Sequence, residues 1–212
     1  MRAQLTKSLV AFTGCLAILT AGCGEYARQG SSPVQVAIDS MAAASGASPA
    51  TFGSNLHSDV VTVVHRTQGG QQVDISTIFN DIGQVTMHLV LKDPGTPTAP
   101  TLASPINEVT FTRYRVTYRR SDGRNTPGVD VPFAFDSAAT FTVPSAGTVT
   151  ASFDIVRHTA KEEAPLASLV FNNNVFITTI AEVQFFGKDQ AGHDVTAAGS
   201  IGITFGNFGD PA

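Results

Sequence analysis

The chain has 212 residues, of which 17 are acidic and 13 are Lys or Arg, so its formal net charge at pH 7 is −4. This acidic balance argues against general nucleic-acid binding, which depends on a basic surface. Charged residues make up only 14% of the chain, and 14 Phe accompany abundant Val, Thr and Gly. Such a mix favours strands and turns over long helices. Composition therefore predicts a strand-rich protein that does not bind nucleic acid.

The N-terminal segment has the order of an export signal. Arg2 and Lys7 form a positively charged start, and residues 8–22 are uncharged and mostly apolar. This run is shorter than the ~20 apolar residues that a helix needs to cross a bilayer, so it predicts a cleaved signal peptide rather than a membrane span. Without residues 1–22, eleven basic residues remain against the 17 acids, a net charge of −6.

The segment LAILTAGC, which ends at Cys23, resembles the lipobox of bacterial lipoproteins. Thr20 stands where leucine is usual in that motif. The resemblance implies that Cys23 is lipidated and anchors the mature protein in the bacterial cell envelope, and that Gly24 directs it to the outer rather than the inner membrane. The alternative is a secretory signal that is cleaved near Ala21-Gly22, with Cys23 incidental.

The rest of the chain is expected to fold as one domain without disulfides. Both cysteines, Cys15 and Cys23, lie in the export segment, so the core must come from apolar burial alone. Residues 23–33 are polar and turn-rich and predict a tether. The remaining 34–212 have the length of a single domain.

Apolar residues that alternate with polar ones predict most of the domain's strands. Residues 34–45 are an exception, since they are Ala-rich, have apolar residues at helical spacing and are compatible with a short helix. Residues 60–64 form a β-branched run, which predicts a strand covered on both faces. Residues 93–105 contain four prolines and predict an extended connection outside any ladder. The further strands are expected at 73–79, 85–91, 108–120, 131–135, 141–143, 148–156, 175–186 and 195–205.

Two local signals refine this outline. In a regular strand, Val109 and Phe111 would lie on one face and Tyr114 and Tyr118 on the other. This switch of face in the apolar pattern predicts a bulge near Thr112. The sequence TAKE at 159–162 has capping-box spacing and predicts a short helix, followed by a second helical turn at 166–169 after Pro165.

The connection between the last two strands, KDQAGHD at 188–194, resembles the D-x-x-G-N turn of many bacterial immunoglobulin-like modules, with His193 in place of Asn. Asp189 can accept backbone N–H bonds across such a turn, and Gly192 supplies a positive φ. Residues 109–156 and 165–205 also resemble uncharacterised secreted bacterial sandwich proteins. The resemblance implies an all-β fold, namely an immunoglobulin-like antiparallel β-sandwich of about 7–9 strands with one or two short helices.

The sequence carries no recognisable catalytic or metal-binding motif. G-x-S-x-G and S-x-x-K are missing from the mature chain. The histidines lack ligand spacing, so we expect no catalytic residue, no metal and no cofactor. Two loops have carboxylate and amide oxygens that Ca²⁺ could use, although turn formation is the favoured interpretation. The histidines are His57, His65, His88, His158 and His193, and the loop residues are Asp122, Asn125 and Asp130 in one loop and Asp189 and Asp194 in the other.

Five of the eleven mature basic residues fall within twelve positions: Arg113, Arg115, Arg119, Arg120 and Arg124. They suggest a patch for an anionic partner, such as lipid headgroups or an acidic envelope protein. The alternative, which we favour, is a solvated sheet face whose arginines pair with Glu108, Glu182, Asp154 and similar neighbours.

Two functions are compatible with these features. The first is a lipid-anchored, non-catalytic binding or structural module of the envelope. The second is an envelope hydrolase whose site is assembled from loops, with His158, Arg157, Glu162 and Asp194 as candidates by chemistry alone. Carbohydrate binding is less favoured, because the chain has no Trp and most Phe fall at inward parity.

Overall fold

Residues 32–208 are described by a computed structural model, and their regular structure is almost entirely β, which confirms the all-β prediction. The signal peptide, Cys23 and the tether up to residue 31 lie outside the described residues. The one α-helix of this region, α1 (His158–Glu162), follows β10, and 3₁₀ turns span Pro105–Asn107 and Leu166–Phe171. The strands are β1 (Val34–Ala44), β2 (Asn55–Asp59), β3 (Thr62–Gln68), β4 (Gln71–Thr77), β5 (Asp81–Leu91), β6 (Gly95–Thr96), β7 (Ala99–Pro100), β8 (Val109–Arg119), β9 (Phe135–Val143), β10 (Thr148–Val156), β11 (Ile177–Asp189) and β12 (Asp194–Gly206).

Eight strands form two larger sheets. The first sheet has the order β1-β5-β10 and the second the order β2-β12-β11-β8-β9. All pairs are antiparallel except β2–β12, which is parallel, so the prediction of a wholly antiparallel arrangement is wrong at this edge. The chain after β1 folds back, with Gly53 pairing to Ala43, and β2 then runs in the same direction as β12.

The strands of both sheets finish at two opposite ends of the domain, the entry end and the far end. The entry end is where β1 begins at Val34, beside Leu91 of β5 and close to the β11–β12 turn. The far end is where β8 and β12 finish and where β5 begins. Ser58 of β2 bonds to Asp81 of β5 there, which shows that the two sheets share this end.

The core lies between the two sheets and is rich in phenylalanine rings. Phe185 of β11 packs against four rings at centroid distances of 5.3–6.1 Å. Two tyrosines of β8 cross from the second sheet to the first, where Tyr114 Oη donates to Asp154 O (3.0 Å) and Tyr118 Oη donates to Ile155 O (2.6 Å). The hydroxyls are thus satisfied inside an apolar core. The rings around Phe185 belong to Phe111, Tyr114, Phe141 and Phe153.

The bulge predicted in β8 is confirmed. Phe111 and Tyr114 are both buried although three positions separate them, and the pairing with β9 shifts between Phe111 and Arg113. The partner strand β11 shifts between Phe186 and Gly187. A Cβ on Gly187 would collide with Thr110 O, so the backbones approach closely where the bulge forms.

Residues 34–45 are not helical, since β1 pairs along its length with β5. Val34, Val36 and Ile38 alternate toward the core, and the neighbouring strand overrides the helix propensity of the alanines.

The strand expected at 60–64 is also placed differently. Val60 is buried in the connection between β2 and β3, whereas Val63 and Val64 belong to a hairpin in which β3 pairs only with β4. Most of this hairpin is exposed, so the expectation of two covered faces is wrong. An apolar run in the sequence marks a strand but does not say whether anything packs against it.

Two smaller corrections concern connections. The proline-rich stretch 93–105 does contain a short ladder. Its strands β6 and β7 have two residues each, and Gly95 pairs with Pro100. The helix near residue 159 is confirmed, but it starts at His158, and no side chain caps its N-terminus. Thr159 therefore lies inside α1 and the predicted capping box does not form. The second helical turn, Leu166–Phe171, is confirmed.

Candidate functional site

The outer face of the second sheet carries the first three arginines of the predicted patch. Arg113, Arg115 and Arg119 point outward on β8, as the alternation predicted. Arg113 Nη1 and Arg115 Nη1 lie 2.6 Å and 2.8 Å from the two carboxylate oxygens of Asp136, and Arg119 Nε lies 3.3 Å from Glu182 Oε2. Ion pairing with Glu182 was predicted. The bridging role of Asp136 was missed, because the sequence does not give the register of β9 against β8.

The other two arginines belong to the loop after β8. Arg120 Nη2 and Arg124 Nε lie 2.6 Å and 3.2 Å from Asp122 Oδ2, and the hydrogen bond from Arg120 is the main cause that lowers the pKa of Asp122. Asn125 and Asp130 accept backbone N–H bonds within the loop. The loop oxygens thus serve turn formation, the interpretation favoured over Ca²⁺ ligation. Glu108 and Asp154, also expected as arginine partners, accept bonds from Ser145 and Asn80 instead.

Asp136→Asn is expected to lower the free energy of unfolding by less than about 1 kcal/mol, because exposed ion pairs are individually weak. The loss should shrink in high salt, since salt screens exposed charges. Urea denaturation at low and high ionic strength measures both effects. A loss well above this figure, unchanged by salt, would show that the two arginines depend on Asp136 to keep the sheet intact.

The turn between β11 and β12 has the predicted bonding. Asp189 Oδ1 accepts the His193 backbone N–H at 2.8 Å, His193 Nδ1 lies 2.8 Å from Asp189 Oδ2, and Gly192 has φ +90°. Burial would raise the pKa of Asp189, but hydrogen bonds from the His193 side chain, the His193 backbone and Ser32 outweigh it and lower that pKa. The His193 side chain therefore adds a second bond across the turn to the one that its backbone N–H makes.

Asp189→Asn is expected to cost about 1–2 kcal/mol of unfolding free energy at pH 7, because charge-assisted hydrogen bonds are the stronger ones. The pKa of Asp189 is lower in the folded state than in the unfolded one. The charged form therefore stabilises the fold above about pH 4, and this contribution is lost as the pH falls below that value. The difference between variant and wild type should accordingly shrink as the pH falls below about 4. A difference that does not shrink there would contradict this origin.

The hydrolase candidates do not meet in one place. Arg157, His158 and Glu162 follow β10 at the far end, and His158 Nδ1 lies 3.0 Å from Asn80 Oδ1. Asp194 begins β12 at the entry end and pairs with Lys188 Nζ at 2.5 Å. A site built from these four residues is therefore not formed.

The far end displays apolar side chains, and Phe133 is one that the predicted strand at 131–135 placed inside, although β9 starts only at Phe135. The parity argument assigned most Phe to the core, yet Phe171 is 89% exposed and Phe133 and Phe176 are about half exposed. Val129 and Val175 are exposed beside them in the sequence. These five residues, which we call the apolar tip, lie in the connections between strands, where Phe171 ends a 3₁₀ turn, and strand alternation assigns no face to them. The sequence signal that could have predicted their exposure was their position next to Pro-Gly and Asn-rich turns.

A buried ion pair at the same end was also missed. Lys161 and Asp81 are 1% and 0% exposed, and Lys161 Nζ lies 2.8 Å from Asp81 Oδ1 and 2.8 Å from Asp59 O. Asp81 further accepts the Ser58 hydroxyl (2.5 Å) and the Gly46 N–H (2.9 Å). Burial raises the pKa of Asp81 above its ordinary value, although Lys161 and these hydrogen bonds oppose the rise.

No group of three or more His, Cys, Asp or Glu residues within 32–208 is arranged to hold a metal ion. In the same part of the chain, no helix is long and apolar enough to cross a membrane. Comparison of this chain with protein-family models, with curated proteins and with solved structures found no match.

Proposed function

We propose that this chain is a lipid-anchored protein of the bacterial cell envelope whose immunoglobulin-like domain binds a partner protein through its far end. Cys23 would carry the lipid, in the outer membrane rather than the inner one. The observation that carries the proposal is the placement of the apolar tip at the end opposite to chain entry.

The immunoglobulin-like assignment draws support from the strand order. If β1, β5 and β10 are strands A, B and E, and β8, β9, β11 and β12 are strands C, C′, F and G, the two sheets have the orders A-B-E and G-F-C-C′. These are orders that immunoglobulin domains use. The hairpin β3–β4 is then an insertion before strand B, and β2 is an extra strand that lies beside strand G.

The position of the chain entry gives the domain a direction. β1 starts at Val34, eleven residues after Cys23, so a lipid on Cys23 would keep the entry end near the bilayer. Leu102 and Ile106 are exposed in the connection at that end, 82% and 62% respectively. The loops of the far end would face away from the membrane, which is where sandwich domains commonly present binding residues.

The chemistry of the far end indicates the kind of partner. The apolar tip offers several exposed aromatic and aliphatic side chains, which are typical of protein interaction sites. Arg119, Arg120 and Arg124 lie at the same end, and the whole arginine patch sets five positive charges against the four carboxylates of Asp122, Asp130, Asp136 and Glu182. A partner with an apolar contact surface and an acidic rim fits both features.

The anchor is tested by fractionation of cells that produce the full chain. Cys23→Ala is expected to move the protein out of the membrane fraction or to block its maturation, because an acyl anchor needs this sulfur and two chains are needed for stable attachment. Cys15→Ala is the matched control and should leave the protein on membranes. Sedimentation of Cys23→Ala with membranes after a salt wash would contradict the anchor.

The binding surface is tested by cross-linking in intact cells. Val129→Asp combined with Phe171→Asp changes the two most exposed residues of the apolar tip, and Leu102→Asp combined with Ile106→Asp is the control at the entry end. Cross-linked partners should be lost with the first pair and kept with the second. Charge reversal of Arg119 and Arg124 should weaken the same cross-links. Identical cross-links from all variants would overturn the proposed surface.

A further inference from the structure

The buried pair at the far end has the arrangement of two groups that can condense. Lys161 Nζ touches Asp81 Oδ1 at 2.8 Å, and both side chains are excluded from water. Contact distance and fixed orientation convert a slow bimolecular reaction into an intramolecular one. We propose that Lys161 and Asp81 form an intramolecular amide bond after the domain has folded. This inference does not depend on the proposed function.

The reaction needs no other reactant. A bond forms between Lys161 Nζ and Asp81 Cγ, and the bond between Cγ and Oδ2 breaks. Oδ2 leaves as water with two protons that both come from the Lys161 ammonium, one passed first to Oδ1, which Nζ contacts, and one released as the amide forms, and nothing is oxidised or reduced. The starting forms are the neutral amine and the neutral carboxylic acid, which a proton transfer from Lys161 to Asp81 produces. Burial favours the neutral amine and the neutral acid over the ion pair more than exposure does, because removing a charged group from water costs free energy.

The surroundings of Asp81 suit the reaction. The Gly46 N–H donates to Oδ1, the oxygen on which negative charge develops when nitrogen attacks Cγ. The Ser58 hydroxyl lies 2.5 Å from Oδ2, the oxygen that leaves, and can pass a proton to it. Asp59 O accepts a hydrogen bond from Nζ and holds the amine in place.

The bond would fasten distant parts of the chain. Lys161 lies in α1, a helix of five residues, and Asp81 is the first residue of β5. An amide between them closes a loop of about 80 residues, which removes conformational freedom from the unfolded chain in the way that a disulfide does. The mature sequence has no disulfide to supply such a link.

The test is a peptide map of the full-length folded protein, digested with trypsin after denaturation. The expected product joins residues 67–92 to residues 158–188, with a mass lower than the sum of the two by one water and with no cleavage after Lys161. The exposed pair Lys188–Asp194, at 2.5 Å, is the internal control and should be cleaved normally after Lys188.

Lys161→Arg keeps the positive charge but removes the nucleophilic amine, so the joined product should disappear. Asp81→Ala removes the carboxyl carbon and serves as the second variant if Lys161→Arg does not fold. Recovery of separate peptides 67–92, 158–161 and 162–188 from the wild-type protein, with no joined product, would overturn the proposal without any variant.

Discussion

Lys161→Met is expected to lower the free energy of unfolding by about 3–5 kcal/mol at pH 7 relative to protein in which the pair is ionic, because it leaves the buried carboxylate of Asp81 without its cation. In protein that carries the proposed amide, loss of the cross-link adds to this figure. Lys161 is 1% exposed and Asp81 is 0% exposed, so water cannot replace the lost partner. Methionine has a similar length and remains apolar, which keeps the packing change small. Urea denaturation followed by circular dichroism measures the loss.

The loss should depend on pH in a defined direction. Burial raises the pKa of Asp81, and removal of Lys161 removes the largest influence that opposes the rise. In the variant, the folded state therefore binds a proton at a pH where the unfolded state does not, so its stability increases as the pH falls toward about 4. The deficit relative to wild type should shrink over that range. A deficit that is constant with pH would mean that lost packing, rather than an unpaired charge, causes it.

The double variant Lys161→Met, Asp81→Leu is the control for this prediction. Replacement of both partners of a buried pair with apolar residues is often neutral, whereas removal of one is costly. The double variant should therefore recover much of the stability that the single variant loses. If the double variant is the less stable of the two, the pair is not the origin of the loss.

Phe185→Ala is expected to cost about 3–5 kcal/mol, because it opens a cavity at the centre of the core. Phe185 is fully buried on the inner face of β11, and its ring contacts those of Phe111 (6.0 Å) and Phe153 (5.3 Å). The contact with Phe153 joins the two sheets, since Phe153 belongs to β10 of the first sheet, whereas Phe111 lies on β8 in the same sheet as β11. The cavity cannot close without a shift of one sheet against the other.

The adjacent residue provides a matched control. Phe186 lies on the outer face of β11 under Arg113, whose guanidinium carbon is 3.9 Å from the ring centroid. Phe186 is half-buried, so Phe186→Ala removes this cation–π contact and part of the ring's burial, and it should cost clearly less than Phe185→Ala. Thermal or urea unfolding of both variants gives the comparison. Similar losses from the two substitutions would contradict the assignment of faces in β11.

Local pattern was sufficient for the elements that follow one rule along their length. Alternation in β8, β10, β11 and β12 predicted both the strands and their inner faces, and the change of parity at Thr112 predicted the bulge. The turn at Asp189 followed from residue types that have a fixed local chemistry. In such segments the position of each side chain depends on residues that are close to it in the chain. The local sequence is therefore sufficient to predict the strand or turn and the face on which each side chain lies.

The errors occurred where a distant segment decides the outcome. Residues 34–45 became a strand because β5 lies beside them, and residues 63–64 are only half-buried because, within residues 32–208, β3 pairs with β4 in a separate two-stranded hairpin. The parallel pairing of β2 with β12 depends on how the chain returns after β1. None of these facts has a signal within the segment itself.

The sequence alone determined the strand-rich class, the turn at Asp189 and the prediction of lipidation at Cys23, because each depends on residues that are close in the chain. Only the tertiary structure brought Lys161 to Asp81, across 80 positions, and placed the apolar tip opposite to the chain entry. The physical reason is that burial and ion pairing are properties of positions in space. Neither the sequence around Lys161, in a short polar helix, nor the sequence around Asp81, at the start of β5, indicates that the two residues pair. Their contact forms only when the two sheets pack.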